Sequence, residues 1–304
     1  MSASIPEKPG FWQSWMLATR PKTLPASIAS VIVGVAAAYA DGVFRFGPAL
    51  AALICAMLLQ IGANVSNDYF DFKKGADTAA RVGPLRVTQA GLLTPPQVVQ
   101  GMALIFLLAA ILGGYLIWQG GWVIGLIGLL AILAALTYTG GPYPLGYNGL
   151  GEVFVFLFFG LAAVWGTYYA QARTLSAAAA WAALPIGLLI VALLVVNNLR
   201  DIATDRQSGK RTLAVRMGEN GSVREYGVLL ILAYLTTVVG IILFEVTPWV
   251  FLSFLTVPFA IRRYQEVKVV RGRPLNKTLA ATAQLGLFFA LLYALGLVLG
   301  RLIS

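Results

Sequence analysis

Long runs without any Asp, Glu, Lys or Arg alternate with short charged stretches along this chain. Uncharged runs cover 23–40, 46–67, 153–172, 174–199, 226–244, 246–261 and 278–300. Residues 87–151 form one longer uncharged stretch, which the Trp118-Gln119-Gly120-Gly121-Trp122 turn signal divides into helices near 97–118 and 121–139. A membrane-crossing helix needs about 20 mainly apolar residues, so the pattern predicts nine spans. The run at 246–261 is the shortest and carries Pro248 and Pro258. The fold class expected is all-α: a polytopic nine-helix membrane bundle with cytoplasmic cap loops, forming a single domain over residues 1–304.

Composition supports that reading. Charged residues make up 11% of the 304 residues, against about 25% in soluble domains, and the mean hydropathy is +0.81. Histidine is absent, which removes histidine bases, histidine metal ligands and Ser-His-Asp triads. Cys55 is the one cysteine, so no internal disulfide can form. The first 21 residues hold no long apolar stretch with a cleavage site, and no signal peptide is expected. The net charge of +10 is a poor pointer to nucleic acid, because no soluble domain presents a basic face. Retained basic loops explain it better. With the N-terminus in the cytoplasm, only Arg45, Arg173 and Arg301 of the 22 Lys and Arg fall on the outer side. The expected location is the cell inner (plasma) membrane. Among the acids, only Asp41 and Glu245 fall outside. Acids contribute little to orientation, so their one-sided clustering asks for a chemical cause.

The stretch Gly62-Ala-Asn-Val-Ser-Asn-Asp-Tyr-Phe-Asp-Phe-Lys-Lys-Gly-Ala-Asp77 ends the second uncharged run. Asn64, Asn67 or Asp68, and Asp71 follow an i, i+3/i+4, i+7 spacing and share one helix face. Like charges so spaced repel, and ionisable groups near membrane depth face a bundle interior or a wet cavity. A hard divalent cation such as Mg²⁺ resolves the repulsion, binding one or two carboxylates plus substrate phosphates. The plainer alternative is a polar helix end paired with Lys73 and Lys74. A second such face follows the sixth span, where Asn197, Asp201 and Asp205 stand at i, i+4, i+8. Two faces on one membrane side, each with Mg²⁺, would cradle a diphosphate. Arg206, Lys210 and Arg211 are near enough in sequence to clamp the same anion.

These motifs resemble those of the UbiA-type intramembrane aromatic prenyltransferases. The matching residues read Asn67-Asp68-Tyr69-Phe70-Asp71 and Asp201-Ile202-Ala203-Thr204-Asp205. The family's first motif often continues to a third Asp four residues on. Here that position is Gly75, and Asp77 comes two later. Stretches 64–77, 138–160 and 197–218 are most similar to the 1,4-dihydroxy-2-naphthoate prenyltransferases of menaquinone synthesis. The resemblance implies nine helices and Mg²⁺-dependent transfer from a prenyl diphosphate to 1,4-dihydroxy-2-naphthoate, with loss of CO₂ and diphosphate. It implies catalytic and metal-binding roles for Asp68, Asp71, Asp201 and Asp205, with Asn64 and Asn197 as further ligands. Asn67 would contact substrate.

The loop 137–152 is rich in Gly and Pro and forces turns. Tyr138 and Tyr147 are its candidate substrate contacts, although an interfacial aromatic belt is the plainer role. The resemblance puts an acid near the aromatic acceptor, so Glu152 would position a hydroxyl or accept its proton. Residues 83–95 are expected to form a loop and short helix over the cytoplasmic mouth. Arg86 there suits a diphosphate or the acceptor's carboxylate. Arg20 and Lys22 are either anchors or contacts to that carboxylate. Other acceptors, such as 4-hydroxybenzoate or homogentisate, and a phytyl donor remain open, as does an organic-anion transporter. Beyond the bilayer and these substrates, neither nucleic acid nor an obligate protein partner is expected.

Overall fold

Helices make up most of the described residues, and their ends follow from the punctuation of the sequence. The computed structural model describes residues 9–76 and 82–303. Asp77 lies outside the described residues. Helix α1 (Phe11–Thr19) starts at Gly10, whose N–H donates to the Gln13 side chain at 3.1 Å, and stops at Arg20 in the left-handed region (φ 51°). Pro21 follows and Pro25 opens α2 (Pro25–Ala40), since proline suits a first turn but not a helix interior. The chain bends by 54° between Phe11–Thr23 and α2. Helix α3 (Phe46–Lys73) carries the first acidic motif in its last two turns and ends before Gly75 at φ 66°. Helix α4 (Pro95–Gly120) is opened by a Thr94–Gln97 capping box, and α5 (Trp122–Thr137) follows Gly121.

Helix α6 (Gly151–Ala172) crosses with a π-helical stretch at Phe156–Ala162. A π turn frees backbone carbonyls, and the Ser30 hydroxyl of α2 donates to the Phe159 carbonyl there. Helix α7 (Ala177–Gln207) is capped by Ser176 and carries the second acidic motif at its far end. Helix α8 (Leu213–Leu243) begins at Thr212 and kinks at Gly218. A 3₁₀ stretch (Pro248–Thr256) leads into α9 (Val257–Val269), and α10 (Leu275–Ile303) completes the bundle.

Helix α7 is the axis. Its apolar window is 72% buried, against 11% for α4, which lies at the periphery. The main core joins α2, α6, α7, α8 and α10 through many alanines, including Ala29, Ala36, Ala183 and Ala192. Small residues let membrane helices approach closely, where burial against lipid-like surroundings gives little driving force. A Cβ on Gly160 of α6 would stand 2.7 Å from the Cα of Gly187 on α7.

By length and composition, six described helices can cross a membrane, or seven if the bent α1–α2 pair is one span. The nine long spans expected are therefore not met one for one. Helix α5 has 16 residues, which at ~1.5 Å per residue reaches about 24 Å, short of a hydrocarbon core of about 30 Å. The 246–261 run is also not one helix: it enters through the 3₁₀ stretch and continues as α9. The all-α membrane-bundle class is as expected.

Candidate active site

The two acidic motifs end on the same side of the bundle and meet through the loops that follow them. Asp68 is 2% exposed. Its carboxylate accepts from the backbone N–H of Val87 and of Thr88, both at 3.0 Å, and from the Thr88 hydroxyl. It thus caps a single helical turn whose Ala90 N–H donates to the Arg86 carbonyl at 2.9 Å. The short helix expected within 83–95 is that one turn. It delivers Arg86 back to the motif: Arg86 Nη2 lies 2.7 Å from Asp71 Oδ2, and both side chains are nearly inaccessible. The other Asp71 oxygen accepts from the Tyr147 hydroxyl at 2.5 Å.

Lys210 joins the halves. Its Nζ is 3.4 Å from Asp71 Oδ1 and 3.8 Å from Asp205 Oδ1, and 4.5 Å from the centre of the Tyr147 ring. Lys74 approaches the same ring at 5.1 Å and donates to the Gly141 carbonyl at 3.1 Å. Burial lowers the Lys74 pKa, Asp71 opposes that, and Lys210 adds to it. Tyr147 is held by a backbone bond from Arg211 N–H to its carbonyl at 2.7 Å. Gly149, in the left-handed region at φ 79°, makes that turn.

On α7, Arg200 grips its own motif. Its Nε and Nη2 donate to the two Asp201 oxygens at 2.8 and 2.5 Å. Nη2 also donates to Asn197 Oδ1 at 2.9 Å, and Nη1 to Asn276 Oδ1 on α10 at 2.8 Å. Breaking a buried pair of this kind costs about 3–5 kcal/mol. Arg200 therefore locks α7 to α10 and fixes the Asp201 rotamer.

Glu152 opens α6 at 8% exposure. Its Oε1 accepts from Asn198 Nδ2 at 2.9 Å, while Oε2 is buried without a hydrogen-bond partner. Tyr138 stands beside it, its hydroxyl 2.8 Å from where a Gly151 Cβ would lie. Burial first, then Glu152, Asp205 and Asp71, push the Tyr138 pKa up, so its phenol stays a neutral donor.

The structure brings together Asp71, Asp205, Arg86, Tyr147 and Lys210, with Asp201 and Asn197 on the Arg200 clamp and Glu152 and Tyr138 adjoining. Asn67 Oδ1 accepts from Thr139 at 2.9 Å, tying α3 to the loop after α5. Asn64 faces elsewhere: its amide donates to the Thr19 carbonyl at 3.1 Å and Thr23 Oγ1 at 3.2 Å, pinning the turn that holds Arg20 and Lys22. Lys22 is exposed and Arg20 half-buried; the Arg211 side chain is exposed. Sequence reasoning missed Arg200, Asn198, Thr88 and Asn276. Arg200 carried a signal: it lies three residues after Asn197 and beside Asp201, at the end of an apolar helix.

Among the described residues, no three Asp, Glu, Cys or His side chains gather closely enough to form a metal site. The donors instead form two half-sites of hard oxygens. That fits Mg²⁺, which takes one or two carboxylates and completes its shell with water and phosphate oxygens.

Fold and site together define an integral-membrane protein whose acids and cations gather at one end of its bundle. The model of the UbiA prenyltransferase family matches residues 27–292, and the chain belongs to that family; it is a prenyltransferase. It is 39% identical over 300 residues to the 1,4-dihydroxy-2-naphthoate octaprenyltransferase of Escherichia coli K12, covering 95% of this chain and 96% of that one. The Mycobacterium tuberculosis protein of the same name is 39% identical over 290 residues, covering 95% and 98%. In fold, the chain is similar to a UbiA homolog from Aeropyrum pernix K1 (TM-score 0.70, 14% identical, 88% and 96% covered). It is also similar to one from Archaeoglobus fulgidus bound to GPP and Mg²⁺ (TM-score 0.68, 11% identical, 94% and 99% covered).

Proposed function

We propose that this enzyme transfers a prenyl group from prenyl diphosphate to 1,4-dihydroxy-2-naphthoate, releasing CO₂ and diphosphate and giving demethylmenaquinol for menaquinone synthesis. The relatives named for that acceptor support it. The observation that carries the donor half is the single ammonium, Lys210, set between Asp71 of one motif and Asp205 of the other. Carboxylates and cations alternate there, as a metal–diphosphate pair requires.

Asp71, Asp201, Asp205 and Asn197 would hold Mg²⁺. Asp68 keeps further lone pairs beside the turn it caps, and Asn64 keeps its carbonyl oxygen while its amide pins the α1–α2 turn, so both stay in that ligand set. When bound, Mg²⁺ supplies positive charge that stabilises the departing diphosphate. Arg86 and Lys210 lie beside the same acids and contact diphosphate oxygens. The helical wall keeps water from the allylic cation left behind. Glu152, oriented by Asn198, keeps Oε2 for an acceptor hydroxyl. The ring carbon that bears the carboxylate attacks the cation, and CO₂ leaves with restoration of aromaticity. The site faces the cytoplasm and the prenyl chain stays in the plasma membrane, as the distribution of basic loops supports.

The test is purified protein in detergent with Mg²⁺, a prenyl diphosphate and carboxyl-labelled 1,4-dihydroxy-2-naphthoate. Labelled CO₂ should appear in step with product. EDTA, Asp71→Ala and Asp201→Ala should each abolish both. Product with 4-hydroxybenzoate alone would leave the prenyltransferase intact and remove the naphthoate assignment.

A further inference from the structure

One carboxylate on α8 belongs to neither acidic motif. Ser222, Tyr226 and Leu229 form a buried stripe of that helix. Glu225 lies three residues after Ser222 and four before Leu229, hence on the bundle-facing side. Tyr226 fixes the rotation of this turn, its hydroxyl 3.0 Å from Thr282 Oγ1 on α10. Glu225 Oε2 is buried without a hydrogen-bond partner, and the residue lies within electrostatic reach of Glu152. Glu225 as a whole is half-buried; Glu152 is more than nine-tenths buried, one oxygen held by Asn198 and the other without a partner.

Two buried acceptors without donors, in one neighbourhood, are costly unless a ligand brings the donors. Neither glutamate is in an ion pair among the described residues, so O–H groups suit these oxygens better than a diphosphate or a free carboxylate does. A molecule that presents two O–H groups at this end fits it.

We propose that Glu225 is a second hydroxyl-binding carboxylate of the acceptor pocket, Glu152 and Glu225 each accepting a hydrogen bond from one hydroxyl of a dihydroxyarene. This rests on the reading that the enzyme prenylates such an acceptor. It adds a source of specificity: a ring with one hydroxyl leaves one buried carboxylate unanswered, and rejection follows from that unpaired group. The two acids also turn the acceptor's own carboxylate toward the cationic side of the site.

The experiment compares wild type, Glu225→Gln and Glu225→Leu as full-length protein in detergent. It measures KM for 1,4-dihydroxy-2-naphthoate, KM for the prenyl diphosphate, and Tm. Inhibition by 1-hydroxy-2-naphthoate and by 4-hydroxy-2-naphthoate completes the set. The acceptor KM should rise roughly 10- to 100-fold in Glu225→Leu, the range for one hydrogen bond to a charged group, and less in Glu225→Gln. The donor KM and Tm should stay put. One mono-hydroxy analogue, the one lacking the Glu225-bound hydroxyl, should inhibit wild type and Glu225→Leu equally. Unchanged acceptor KM in active variants, or equal weakening of donor, diol and both analogues, would overturn the Glu225 assignment alone. Wild type that turns over no dihydroxynaphthoate would overturn both this inference and the acceptor reading beneath it.

Discussion

Asp68 and Asp71 stand three residues apart on α3 and do different work. Asp68 spends both oxygens on the Val87–Thr88 turn, whereas Asp71 meets Arg86, Tyr147 and Lys210. Asp68→Ala strands two buried N–H donors, so it should destabilise the protein by about 2–3 kcal/mol and lower Tm as well as activity. An unaltered melting curve would refute the capping role. Arg200→Lys tests the opposite motif. A lysine has no planar fork to hold both Asp201 oxygens along with Asn197 and Asn276. With Asp201 left free to turn, kcat/KM should fall about 100-fold, the scale of a 1 Å misplacement, in steady-state assays on folded protein.

At the scale of elements, the long uncharged runs translated directly into α2, α3, α4, α6, α7, α8 and α10, because lipid leaves a backbone few alternatives to a helix. The pattern failed where length was marginal. A run of apolar residues cannot reveal that Pro248 begins a 3₁₀ stretch or that α5 stops at Thr137. Nor does it reveal how α6 and α7 touch. At Gly160 there is no room for a methyl group against Gly187, so Gly160→Ala should cost about 1–3 kcal/mol by overpacking, read from thermal unfolding. Since α6 also carries Glu152, the variant should raise the acceptor KM and leave the donor KM unchanged. An equal rise in both would place the strain elsewhere.

At the scale of the whole molecule, two half-sites more than 100 residues apart along the chain are brought together through Lys210. Asp71, Asp201 and Asp205 are each already paired with a cation within the protein, so added Mg²⁺ alone meets partly neutralised ligands, and added diphosphate alone meets carboxylates. The pair cancels its own charges. Mg²⁺ with diphosphate should therefore raise Tm well beyond the sum of the separate effects. Saturation at 100 times Kd corresponds to about 2.7 kcal/mol. Purely additive shifts in a thermal-shift series would count against a shared site.

What the sequence determined by itself was local. Apolar run length set the membrane class, and i, i+3/i+4 spacing put Asn64, Asp68 and Asp71 on one face of α3 and Asn197, Asp201 and Asp205 on one face of α7. Such relations lie within a turn or two of one helix, where geometry is fixed before packing. Tertiary structure alone decided which distant partner meets Asp71, Glu152 and Asp68. Lys210 reaches Asp71 across 139 residues, Asn198 reaches Glu152 across 46, and Thr88 reaches Asp68 across 20. The shared helix face likewise hid that the Asn64 amide pins the α1–α2 turn while Asp71 meets Arg86, Tyr147 and Lys210. Spacing gives a side chain's direction from its own helix; what stands opposite depends on how the other helices pack.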